Sequence, residues 1–173
     1  MCSSDLILPF FVSLGACLPA SAQLIDGSTL LPVAAQVLID QVKAGSVLIL
    51  GENHGIADHR DQHMVILEGL RARGLQVSVG MEFVNFPDQT FLDQYRSGDL
   101  NEEQFLNIID WKGFPFEFYK QQILFPNFSS GERTIGLNIP RFVTSKIAKT
   151  GLDSLNQMER NLLPPNFEIG RPS

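Results

Sequence analysis

The segment SVLILGENHG, residues 46–55, runs from four aliphatic side chains straight into a glycine, a carboxylate, an amide and an imidazole. An unbroken aliphatic run of this length fits a strand covered on both faces, and the abrupt polarity after it fits the rim of a parallel sheet. Two further segments have the same character, QVSVGM at 76–81 and RTIGLN at 133–138. They run into Glu82-Phe83 and into Asn138-Ile139-Pro140, so each of the three predicted strands ends in polar residues. Helical patterns lie around and between them. PVAAQVLIDQVKAG (32–45) opens on Pro32 and closes on Gly45, and ADHRDQHMVILEGLRARG (57–74) closes on Gly74. NEEQFLNIID (101–110) carries Asn101 and Gln104 at capping-box spacing. PFEFYKQQILFPNF (115–128), PRFVTSKIAKTG (140–151) and LDSLNQMERNL (152–162) complete the series. The alternation predicts an α/β fold, a mostly parallel sheet with flanking helices.

In such sheets ligands sit beyond the carboxyl ends of the strands. If the three strands are neighbours, Glu52, His54, Glu82 and Asn138 reach one rim. All three of the chain's histidines fall between residues 54 and 63. At about 100° per residue His59 and His63 share a helix face with Ile66, Leu67 and Leu70, which places His59 in the first turn near Glu52 and His54. Imidazoles and carboxylates gathered there suit metal binding, proton transfer or ligation of haem iron. A carboxylate and an imidazole two residues apart at the end of an apolar strand are costly without partners, which singles out Glu52 and His54. The other residues have plainer readings: His63 as a boundary residue, Glu82 as a cap or ion-pair partner, Asn138 as a turn former. Most of the 13 phenylalanines lie between residues 83 and 128, beside Tyr95, Trp111 and Tyr119. They are core packing, or in part an apolar wall for a flat ligand, with Tyr95 and Tyr119 as phenolate ligands or hydrogen-bond donors.

A chain of 173 residues with 44% hydrophobic and 18% charged residues is globular in its body. Its net charge of -6 and scattered basic residues argue against a nucleic-acid partner. LILPFFVSLGAC, residues 6–17, is too short to span a bilayer and has the make-up of an export signal, although no basic residue precedes it. Leu14-Gly15-Ala16-Cys17 matches a lipobox, with Cys17 as the lipidated residue, and Ala20-Ser21-Ala22 offers an ordinary cleavage site. Residues 1–22 are therefore expected to form the signal and lipobox region, 23–165 an α/β domain and 166–173 an irregular tail. With the other cysteine at position 2, removal of the signal leaves no pair for an intramolecular disulfide.

LGENHGIADHRDQH (50–63), VGMEF (79–83), FLDQYRSGDL (91–100), DWKGFPFEFYKQQI (110–123) and IGLNIPRFVTSKIAKTGLDSL (135–155) occur in that order. Together they resemble the ChaN-like haem-binding lipoprotein family of the Tiki superfamily. The resemblance implies an exported, lipid-anchored protein of the bacterial cell envelope that takes up haem or another small iron compound, with Tyr and His near the iron and in some cases a homodimer. The wider superfamily includes erythromycin-esterase-like hydrolases and Tiki metalloproteases. That alternative implies a hydrolase using Glu52, His54 and Glu82, with a divalent metal held by residues such as His54 and His59. A late Gly-x-x-His block of the family has no counterpart here, so the expected sheet is incomplete relative to the family, and a truncated, inactive fragment is a third reading.

Overall fold

A computed structural model describes residues 24–163 of the chain. The signal region 1–22 with Cys17, and the tail 166–173, lie outside the described residues. A short antiparallel pair, β1 (Leu24–Ile25) with β2 (Pro32–Val33), opens the described residues. Helices α1 (Ala35–Gln41) and α2 (Ala57–Ala72) follow. Pro32 therefore belongs to a strand and does not open the helix, which ends at Gln41, short of Gly45.

The expected alternation is present as a parallel pair, β3 (Val79–Asn85) with β4 (Thr134–Asn138). Parallel neighbours need a long crossover. Here it contains α3 (Gln89–Ser97), α4 (Glu102–Ile108) and α5 (Lys120–Leu124). Helices α6 (Arg141–Thr150) and α7 (Gln157–Arg160) come after β4. The chain is thus an α/β protein with a small parallel sheet flanked by helices.

The first predicted strand differs. Residues 46–50 join no ladder among the described residues. Leu48 and Leu50 turn inward against the core, while Val47 and Ile49 are 90% and 88% exposed. An aliphatic run prefers cover on both faces, and this one has it on one. The second strand starts three residues later than predicted, at Val79, and runs on to Asn85. Its register against β4 slips between Met81 and Asn85.

Two apolar clusters hold the elements. Ile66, Leu67 and Leu70 on the inner face of α2 pack with Ile39 of α1 and Val77. This is the stripe that the 3.6-residue period predicted. Met81 and Val84 of β3 pack with Leu92, Phe105, Ile109, Phe116, Tyr119 and Ile123 of the crossover. Most of the aromatic segment is therefore core, and Val79 touches both clusters.

The crossover is tied by local bonds that the sequence announces. Asn101 accepts from the Gln104 backbone N–H at 2.9 Å, and the Gln104 side chain accepts from the Asn101 backbone N–H at 2.9 Å. Replacing Asn101 with alanine is expected to lower stability by about 1 kcal/mol, read as a lower denaturant midpoint at unchanged slope. Among the described residues no helix is long and apolar enough to cross a membrane.

Candidate functional site

Past Leu50 the chain turns into α2 through Gly51–Ile56. Gly55 is needed in this turn for two reasons. Its φ is +82°, and a Cβ there would lie 2.7 Å from the Phe114 ring. The turn is also held by His59, whose Nδ1 accepts the Asn53 backbone N–H at 3.0 Å.

Between this turn and the irregular stretch of β3 lies a small cleft of about 100 Å³. Its walls carry Leu50, Glu52 and His54 on one side, with Gly80, Met81, Glu82 and Phe83 opposite; His63, Tyr119 and Gln122 complete it. The slip in register near Met81 is the kind of irregularity that re-aims side chains beside sites.

Glu52 is the centre of the arrangement. Its side chain is only 10% exposed. Oε1 accepts the Tyr119 hydroxyl at 2.7 Å and His54 Nδ1–H at 2.9 Å. Oε2 lies 3.8 Å from His63 Nδ1. That nitrogen receives the Gln122 amide at 3.2 Å, and His63 Nε2 points to the Gly51 carbonyl at 3.4 Å. The partners assign the tautomers: His54 carries its proton on Nδ1 and His63 on Nε2. The His54 side chain is 42% exposed, and its Nε2 bonds to no described residue. Phe83 and Phe114 flank its ring, with centroids 4.8 and 5.8 Å away.

Tyr119 is buried, its ring against Phe83 at 4.3 Å and Phe118 at 5.0 Å. Burial first, and the Glu52 carboxylate second, push ionisation of its hydroxyl well above the ordinary phenol range. It serves here as a donor. Glu82 stands exposed at the mouth and has no ion-pair partner among the described residues.

The structure thus gathers Glu52, His54, His63, Glu82 and Tyr119 from the residues singled out in the sequence. Three others lie elsewhere. His59 spends its Nδ1 on the turn and does not line the cleft, so it forms no joint ligand set with His54. Tyr95 stacks on Phe105 at 4.7 Å and donates to Glu102 at 3.3 Å. Asn138 turns its side chain back to the Ile139 backbone N–H at 2.9 Å. Among the described residues no group of three or more His, Cys, Asp and Glu is arranged to hold a metal ion.

Gln122 was missed in the sequence, and so was the pairing of Phe83 with His54. The signal for Gln122 is its spacing: Tyr119 and Gln122 are i and i+3, which puts both on one side of a helical turn.

A family model described as "Haem-binding uptake, Tiki superfamily, ChaN" matches residues 38–173. Comparison with curated proteins and with solved structures gave no match.

Proposed function

Because the chain belongs to the ChaN haem-binding uptake family of the Tiki superfamily, we propose that it binds a haem-type iron compound at this cleft, with His54 Nε2 as the ligand to iron. The observation that carries this reading is the 2.9 Å bond from His54 Nδ1 to Glu52. Metal-ligating histidines commonly donate the other ring nitrogen to a carboxylate, which fixes the tautomer and makes the free nitrogen more basic. His54 already has that partner, and its Nε2 bonds to no described residue. Phe83 and Phe114 give the imidazole apolar flanks.

The residues fit the iron end of such a ligand, and the cleft sets a limit on the rest. Its volume of about 100 Å³ is well under that of pockets that enclose drug-sized molecules, roughly 300–1,000 Å³. Most of a macrocycle would lie outside it, where a second copy of the chain is the natural cover. When bound, haem would supply an iron centre able to take a nitrogen ligand from His54. Glu52, Tyr119, His63 and Gln122 orient the imidazole, and Glu82 holds negative charge at the mouth.

We place the protein in the bacterial cell envelope, exported by residues 1–22, anchored through lipid on Cys17 and engaged in iron or haem acquisition. The apolar run at 6–17 ending in Leu14-Gly15-Ala16-Cys17 supports this. Haemin titrated into the purified protein is expected to give a shifted Soret band of imidazole-ligated type that saturates at a fixed ratio. A free-haemin spectrum throughout would overturn the proposal.

A second reading rests on the same bond. An imidazole with a carboxylate on Nδ1 and a free Nε2 also suits a general base acting on water in a hydrolase. Ester hydrolysis lost in Glu52→Gln, in the absence of haemin, would favour it.

A further inference from the structure

We propose that Tyr119 is a positioning residue for His54, acting through Glu52, and not itself an iron ligand. Glu52 Oε1 accepts the Tyr119 hydroxyl at 2.7 Å and His54 Nδ1–H at 2.9 Å, and the carboxylate is 10% exposed. A carboxylate so far from water stays in place only while its bonds are made. The Tyr119 bond approaches from the buried side, on a ring that the core immobilises. It therefore sets where Oε1 sits, and Oε1 sets where His54 keeps its proton.

The other oxygen has no comparable donor among the described residues: His63 Nδ1 lies 3.8 Å from Oε2 and is itself 3.2 Å from the Gln122 amide nitrogen. Without the Tyr119 hydroxyl, Oε1 keeps one donor of two, and that donor is on an exposed ring at the end of a turn. The carboxylate then rotates, His54 loses its fixed tautomer, and Nε2 is no longer reliably the unprotonated nitrogen. Since the Tyr119 hydroxyl proton is committed to Glu52 and its ring is buried, the phenol oxygen is not presented at the mouth.

The inference rests on His54 being the iron ligand, but its first test needs no iron. Long-range proton–nitrogen correlation spectra of the ligand-free protein, recorded above the pH range where histidine titrates, report which ring nitrogen carries the proton. The wild type is expected to have His54 protonated at Nδ1 alone, and Tyr119→Phe a mixture. Glu52→Gln is the companion variant and should scramble the tautomer likewise, because it disturbs the same oxygen. Haemin titration of Tyr119→Phe is expected to give an affinity about tenfold lower with an unchanged type of absorption spectrum.

An unaltered Nδ1–H tautomer in Tyr119→Phe overturns the proposal, whatever happens to affinity. So does the loss of a phenolate-to-iron charge-transfer band in that variant, since Tyr119 would then be a ligand. If the wild type leaves haemin free while the tautomer still answers to Tyr119→Phe, the positioning role stands and the haem reading falls.

Discussion

His54→Ala is expected to weaken haemin binding by more than the roughly 10–100-fold that loss of a supporting partner costs at a metal site, because it removes the ligand nitrogen itself. The fold should survive the change. The His54 side chain is 42% exposed in a turn, bonded to Glu52 and in contact with the rings of Phe83 and Phe114. Circular dichroism and denaturant midpoint should accordingly stay near wild type while the Soret shift disappears. Exogenous imidazole gives the sharper check. The alanine leaves a gap beside Glu52, and added imidazole can bind there, donate to Oε1 and present its other nitrogen. Partial recovery of the wild-type spectrum is expected. An unchanged Soret titration in His54→Ala would remove this residue from iron ligation.

The second large effect lies away from the cleft. Glu132 is buried and joins the turn before β4 to α2 and to Val77, just ahead of β3. It accepts from the Val77 backbone N–H at 3.0 Å, from the Asn127 backbone N–H and from Arg71 at 2.8 Å. Arg71 is also bonded to the Phe125 carbonyl at 2.7 Å and lies over the Phe125 ring. Breaking a buried pair by removing one partner costs about 3–5 kcal/mol. Arg71 keeps 40% exposure and can rehydrate, so the lower end, about 3 kcal/mol, is expected for Glu132→Ala by urea unfolding. Burial by itself would raise the Glu132 ionisation, but the bonds from Asn127, Val77 and Arg71 outweigh it and hold the group below the ordinary carboxylate range. A depressed native value means that the carboxylate stabilises the fold above its unfolded value, roughly pH 4.3. That contribution is lost as pH falls through the depressed value. The stability gap between wild type and Glu132→Gln should therefore be full at neutral pH and close on acidification.

The apolar period of α2 and the Asn101–Gln104 capping box were legible because both are local: a helix face and a three-residue reach need no knowledge of the rest of the chain. The polar ends of the first two predicted strands were legible for a similar reason, and they supply Glu52, His54 and Glu82 to one cleft. Pairing was not legible. The aliphatic run at 46–50 states a preference for dryness, and nothing in it states which backbone will accept its hydrogen bonds. Asn138 followed the same pattern as Glu52 and Glu82, yet β4 pairs with β3 while the cleft is built from β3 and the turn after Leu50. Its amide instead closes a local bond to Ile139. His59 and His63 were equal by periodicity, and the turn decided between them by taking the His59 nitrogen for Asn53. Tyr95 and Tyr119 were likewise equal as tyrosines. Only the path of the crossover puts Tyr119, 67 residues from Glu52 along the chain, against its carboxylate. The Arg71–Glu132 contact, 61 residues apart, has no local signature at all.

The two banks of the cleft differ in how firmly they are fastened. On the β3 side, pairing with β4 fixes the main chain at Gly80 and Met81 and again at Asn85, on either side of the slip. On the other, residues 47–50 carry no backbone bond among the described residues and are moored by Leu48 and Leu50 alone. Among the described residues, displacing them would sacrifice van der Waals contact and break no ladder, so the bank that leads into Glu52 and His54 is the less firmly tied of the two.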